Sequence, residues 1–378
     1  MSDSNGESRV PVDLRDFYAA PWGEREFPGG PPIAQKQSIW LPLILFLLTL
    51  ISTLSVGYEF ARSYALDEQP FTTTDNWLQA FVHPFVHPHL LLLGVPFSFT
   101  LMGILLAHEL GHYFACRIYG IDASYPYFLP APTLIGTFGA FIRIRSPIMT
   151  RRALFDVGIA GPVVGFIFAV PAMAYAIATS KILPGTIDNA ALVFGNPPLM
   201  RMFIAYFHHG VNPNWVLLHP VGRAAWVGLF VTALNLLPVW QLDGGHILYS
   251  LTSRDHFRVS LIVSAILITM GHFDPLWYIW GGVLLVLSFF FRHPPLMNRW
   301  EPLNATRKLW ACAALLIFFL CFTPWPITQP PSPQHQARLT GSTSTRTAAS
   351  GISFAAQKSR QAFSASASAE RCGDFKTN

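Results

Sequence analysis

The stretch SIWLPLILFLLTLISTLSVGY, residues 38–58, carries no charged side chain. As a helix rising about 1.5 Å per residue, it is long enough to cross a hydrocarbon core of about 30 Å. Composition places the rest of the chain in the same class: 52% of the 378 residues are apolar and 12% charged, whereas soluble domains carry charge at about 25% of positions. Residues 1–37, rich in Pro, Gly and charge, read as a flexible arm. A cleavable signal would begin near Met1, so the first span is expected to be retained.

Working outward, a second apolar run extends from about Leu90 to Tyr119, with Pro96 at a bend or a start and Gly120 at its end. A third covers about 154–179 and contains Gly158, Gly161 and Gly165, a pattern that permits close helix packing. Another begins near Val221, is interrupted by NLLPVWQLDGGH at 235–246, and resumes in ILYSL. Spans are expected near 257–272, 273–291 and 309–326. Between the second and third runs, PTLIGTFGAFIRIRSP at 132–147 alternates in polarity and holds Gly136 and Gly139. A short strand or hairpin is expected there. At membrane depth such backbone needs protein or a wet cavity to satisfy it.

The expected class is therefore an all-α polytopic membrane protein with about six to seven transmembrane helices and a short membrane-associated β-hairpin. Its expected divisions are an arm at 1–37, a first helix and connecting loop at 38–89, a membrane core at 90–250, additional helices at 251–327, and a low-complexity, disordered tail at 328–378. Residues 181–220 read as a loop too short for a sizeable domain.

The net charge is +5, but no dense basic block is present. Arg143, Arg145, Arg151, Arg152, Arg254, Arg258, Arg292, Arg299, Arg307 and Lys308 flank apolar runs instead. That distribution orients a membrane protein and argues against nucleic-acid binding. It places the arm and the arginines of 143–152 on the cytoplasmic side. Cys116, Cys312, Cys321 and Cys372 include no close pair, so neither a thiolate zinc site nor a disulfide framework is indicated. The expected location is the lipid bilayer of a bacterial plasma membrane.

Within the second run lies HELGH, residues 108–112. On a helix His108 and His112 share a face, and Glu109 is displaced from His108 by about 100°. Two neutral imidazoles offer a metal their lone pairs, and the neighbouring carboxylate is a base for an attacking water. The competing reading is a helix whose histidines serve packing or proton transfer, but burying that polar set uncompensated is costly.

A catalytic zinc site takes three protein ligands. Asp243 is the best third donor, because it stands in an apolar segment broken by Pro238 and by Gly244 and Gly245; helix capping is its alternative role. Asn235 is a candidate oxyanion or substrate-backbone contact, or a clamp between helices. His246 suits a supporting hydrogen bond better than ligation. Asp122 lies beyond a helix end, while Asp156 and Asp255 fit helix-end roles.

AHELGHYFA at 107–115 and LNLLPVWQLDGGH at 234–246, with GTFGAFI and GPVVG between them, resemble the site-2 protease family of intramembrane zinc metalloproteases over roughly residues 90–250. The resemblance implies that His108, His112 and Asp243 bind Zn2+, that Glu109 is the catalytic base, and that Asn235 contacts substrate or transition state. It implies a hairpin that presents a substrate strand, and single-span or other membrane proteins as substrates. One departure is Trp240, which stands where many members have a second proline in N-x-x-P-x-P-x-L-D-G. No room exists at 181–220 for the PDZ insertion of some relatives. A membrane metal transporter using His108, His112 and Asp243 is the alternative. Oligomeric state is not legible in the sequence.

Overall fold

The computed structural model of the chain describes residues 38–70, 77–184, 193–290 and 302–328. The arm and the tail beyond 328 lie outside the described residues. Helix dominates. Helix α1 spans Trp40–Ala65 and continues past the uncharged stretch, through Glu59. That carboxylate is only 4% exposed and pairs with Arg62 one turn on, at 2.9 Å. A neutralised acid extends the helix by a further two turns, where polarity alone suggested that it should stop.

Helix α2, Trp77–Val86, leads through a 3-10 turn at Pro88–Gly94 into α3, Val95–Ile118. Pro96 falls in the first turn of α3, where a missing N–H costs nothing, so it starts the helix rather than bending it. Gly120, at φ 64°, follows the last turn.

Strands β1, Tyr127–Pro130, and β2, Thr137–Phe141, pair antiparallel with Tyr127 opposite Phe141 and Phe128 opposite Ala140. Helix α4 spans Arg151–Ala178, with Pro162 and Pro171 inside it. The described residues of 181–220 hold more regular structure than a loop. They include β3 (Lys181–Ile182), β4 (Val193–Phe194), α5 (Pro198–Phe207) and β5 (Val216–Leu217), with β3 paired to β5. Then come α6 (Pro220–Asn235), α7 (Asp243–Leu251), α8 (His256–Met270), α9 (Leu276–Phe290) and α10 (Ala305–Cys321). Strand β6, Ile327–Thr328, pairs with β4.

Among the described residues, three stretches are long and apolar enough to cross a membrane: Trp40–Ala65, Pro88–Ile118 and Arg151–Ala178. At 15 residues each, α8 and α9 rise only about 22 Å. The described residues thus form a mostly helical protein with three candidate spans, fewer than the sequence suggested.

Helix α3 packs against α1, α4 and α6. Its Phe97, Leu101 and Leu105 belong to one buried cluster with Phe155 and Met173 of α4 and Leu229 of α6. The outer face of α1 leaves Trp40, Leu41, Ile44 and Leu48 exposed, as suits a surface solvated by lipid. Its inner face carries Thr49, Ser52 and Thr53. The Ser52 hydroxyl donates to the Gly136 carbonyl at the hairpin turn, at 2.6 Å, and Phe46 meets Phe128 edge-on at 5.2 Å between ring centres. The hairpin backbone is thereby tied to protein at one of its polar groups, as strand structure at this depth requires.

Candidate metal centre

His108, Glu109 and His112 lie in the second half of α3, each less than 9% exposed. Asp243 reaches them from the other side of a break in the helix. Helix α6 ends at Asn235 and α7 begins at Asp243, and the first turn of α7 sits hard against the end of α6. A Cβ on Gly244 would lie 2.1 Å from the Leu236 carbonyl oxygen, so only glycine permits that approach. The carboxylate of Asp243 therefore stands in the first turn of a helix, where the helix dipole favours negative charge.

His108 Nε2 is 3.2 Å from Asp243 Oδ2, His112 Nε2 is 3.3 Å from Asp243 Oδ1, and the two imidazole Nε2 atoms are 3.1 Å apart. Donors held about 2.0–2.1 Å from a tetrahedral ion are separated by about 3.3 Å. The three residues can supply ligand atoms that all lie within 4.8 Å of one another. Asp243 Oδ2 is buried and makes no hydrogen bond, although an imidazole nitrogen is near. An acceptor left in that state fits a cation at the point where the donors meet.

The histidines are fixed from behind by α4. Val157 O lies 2.7 Å from His112 Nδ1. A proton on Nδ1 leaves Nε2 as the free lone pair. The spacing of GPVVG answers that of HELGH: a Cβ on Gly161 would stand 2.1 Å from His112 Nε2, and one on Gly165 would stand 3.1 Å from His108 Nδ1. Those glycines do serve helix packing, and what they pack against is the imidazole pair.

Glu109 accepts a hydrogen bond from the Ile142 backbone N–H, just past the end of β2. Asn235 brings its Nδ2 to 3.3 Å from His108 Nε2. The structure thus gathers His108, His112, Asp243, Glu109 and Asn235 around one buried point. His246 lies one turn beyond Asp243, with its Cβ against Gly158, and is not one of the three converging donors. Asp156 pairs with Arg307 at 2.6 Å, and Asp255 precedes α8; both stay at helix ends. Sequence reasoning did not find the Val157 carbonyl or the Ile142 N–H, because backbone groups carry no residue signature. The matched spacing of Gly161 and Gly165 to the histidines was visible, but it needed a helix register to interpret.

Two buried histidines and a partly buried aspartate thus converge with a glutamate beside them, a donor set suited to a metal ion. Residues 96–273 match the model of peptidase family M50, the site-2 protease family. "Probable zinc metalloprotease EGY1, chloroplastic" of Arabidopsis thaliana is 30% identical over 303 residues, covering 75% of this chain and 53% of that protein. Its namesake from Oryza sativa subsp. japonica is 27% identical over 305 residues, 76% of this chain and 50% of the relative. "Probable zinc metalloprotease EGY2, chloroplastic" of Oryza sativa subsp. indica is 29% identical over 270 residues, covering 68% and 47%. The chain spans about half the length of the curated relatives it matches.

These relatives are plant proteins named as chloroplastic, which overturns the expectation of a bacterial plasma membrane. The physical reason is simple. Apolar length and flanking arginines report that a bilayer is crossed and in which sense, not which bilayer it is.

Proposed function

We propose that this chain is a zinc-dependent intramembrane endopeptidase that hydrolyses peptide bonds in or near transmembrane segments of membrane proteins, single-span proteins among them, in a plastid membrane. The observation that carries the reading is the convergence of His108, His112 and Asp243 from two separate helices, with Glu109 adjoining. The expected divisions at 38–89, 90–250 and 251–327 are kept as its working layout. The shorter helices α8, α9 and α10 are read as completing a bundle of six to seven spans with α1, α3, α4 and the broken α6–α7 pair.

His108, His112 and Asp243 would hold the zinc. Bound there, the ion supplies Lewis-acid polarisation of the scissile carbonyl and makes water acidic enough to attack at neutral pH. Glu109 takes a proton from the attacking water and returns it to the leaving amine, so one water is consumed for each peptide bond broken. Asn235 donates its amide N–H to the oxygen on which charge develops. The burial of His108, Glu109 and His112, with Asp243 and Asn235 only partly exposed, limits competing solvent, which strengthens these interactions. A helical substrate must unwind locally before its peptide bond is reachable, and the β1–β2 hairpin offers an extended segment to pair with it.

The test is reconstitution of the purified chain in liposomes with candidate single-span substrates. Cleavage that stops on chelation and returns with zinc is the expected result. Ion flux without cleavage would favour the transporter reading and overturn this one.

A further inference from the structure

We infer that His256 and Ser260 of α8 are positioning residues for the donor loop, holding the Trp240 backbone in a left-handed conformation that sets Asp243 in place. The inference rests on the reading of Asp243 as a metal ligand. It begins from the residue at which this chain departs from the family's proline pattern.

Trp240 has φ 50°. For a bulky side chain that conformation is an outlier and persists only where its surroundings over-determine it. Here they do so from two sides. The Trp240 N–H donates to Ser260 Oγ at 3.3 Å, and His256 Nε2 lies 3.1 Å from the Trp240 carbonyl oxygen, close enough to donate to it. His256 and Ser260 are four residues apart on one helix and so share a face. They are 6% and 1% exposed respectively, so neither is a surface group that met the loop by chance. The His256 ring is also set edge-on against Tyr249 of α7, at 5.3 Å between centres.

On the opposite side, a Cβ at Gly245 would stand 2.3 Å from the same Trp240 carbonyl oxygen. The peptide is therefore pressed between the polar pair of α8 and the first turn of α7, two residues past Asp243. Trp240 also packs against a buried cluster that includes Leu237, Leu267 and Trp277. A proline at 240 would fix the loop through its ring, near φ −65°, and would offer no N–H. This chain fixes the loop by hydrogen bonds, at a φ that proline cannot adopt. Restoring the family's proline is therefore expected to damage the site.

The experiment uses the full chain purified in detergent, with zinc affinity and the visible spectrum of the Co2+-substituted protein as readouts beside cleavage. Ser260→Ala and His256→Phe, each keeping most of the side-chain bulk while removing a hydrogen-bonding group, are expected to lower zinc affinity about 10- to 100-fold and to shift the Co2+ spectrum. Ser260→Thr, which keeps the hydroxyl, should restore both. Trp240→Pro should lose at least as much as Ser260→Ala. Asp243→Ala is the control for the underlying reading and should lose tight binding. If Asp243→Ala loses zinc while Ser260→Ala, His256→Phe and Trp240→Pro all bind it as wild type does, the clamp is wrong and the ligand assignment stands. If Asp243→Ala binds zinc normally, the ligand assignment fails and the clamp falls with it.

Discussion

At the scale of single residues, the site is made as much by what is missing as by what is present. A side chain at Gly161 would occupy the space of the His112 imidazole. Gly161→Ala is therefore expected to cost more than 10-fold in zinc affinity, by titration against a competing chelator. Gly103 on α3 is the matched control, since nothing lies within 4 Å of a Cβ there. Gly103→Ala should leave zinc binding unchanged and hold or raise the melting temperature, because alanine in a helix interior is favoured over glycine by about 0.5–1 kcal/mol. The ligand types were legible in the sequence because HELGH fixes three side chains by helical geometry alone, and because an aspartate in an apolar segment needs a partner. That Gly161 and Gly165 face His112 and His108 was not legible. It depends on the register between two helices, which only packing decides.

Among the elements, the hairpin and the α4–α10 contact have separable roles. Ser52 on α1 ties down the Gly136 carbonyl. Ser52→Ala removes one of two donors to that carbonyl, which keeps the Ala131 N–H at 3.3 Å, at a cost of about 0.5–1.5 kcal/mol. The expected outcome is a raised KM for membrane substrates with zinc content unchanged, read from initial rates and metal analysis on the same preparation. At another point, Arg307 of α10 reaches Asp156 of α4 through Nε at 2.9 Å and Nη2 at 2.6 Å, and Tyr119 joins them. The pair is partly exposed, so its loss should cost only about 1 kcal/mol. Arg307→Ala should lower the melting temperature in detergent by about 2 °C and leave cleavage per folded molecule intact. Strand β2 was legible from its alternation and glycines. Its partner was not, because Pro126 and Pro130 in YPYFLP hide a strand behind residues that strands avoid. The overrun of α1 through Glu59 was hidden likewise, since only the Arg62 pairing makes the buried acid tolerable.

At the scale of the described molecule, apolar helix faces lie outside and His108, His112 and Asp243 converge inside, the arrangement that the proposed hydrolytic reading requires. The broken α6–α7 segment carries Asp243 to α3, and α4 closes over both with its glycines. The match to the model of peptidase family M50 over residues 96–273 agrees with that arrangement. Among the described residues three stretches have the length of a crossing, while α8 and α9 are apolar but only 15 residues each, so the larger count of spans belongs to the proposed reading. The most direct test of the central claim is Glu109→Gln in the reconstituted system, with zinc content and substrate cleavage measured together. The account predicts a protein that keeps its zinc and loses cleavage by about 100- to 10,000-fold, the usual contribution of a general base. A Glu109→Gln protein that still cleaves at the wild-type rate would contradict it.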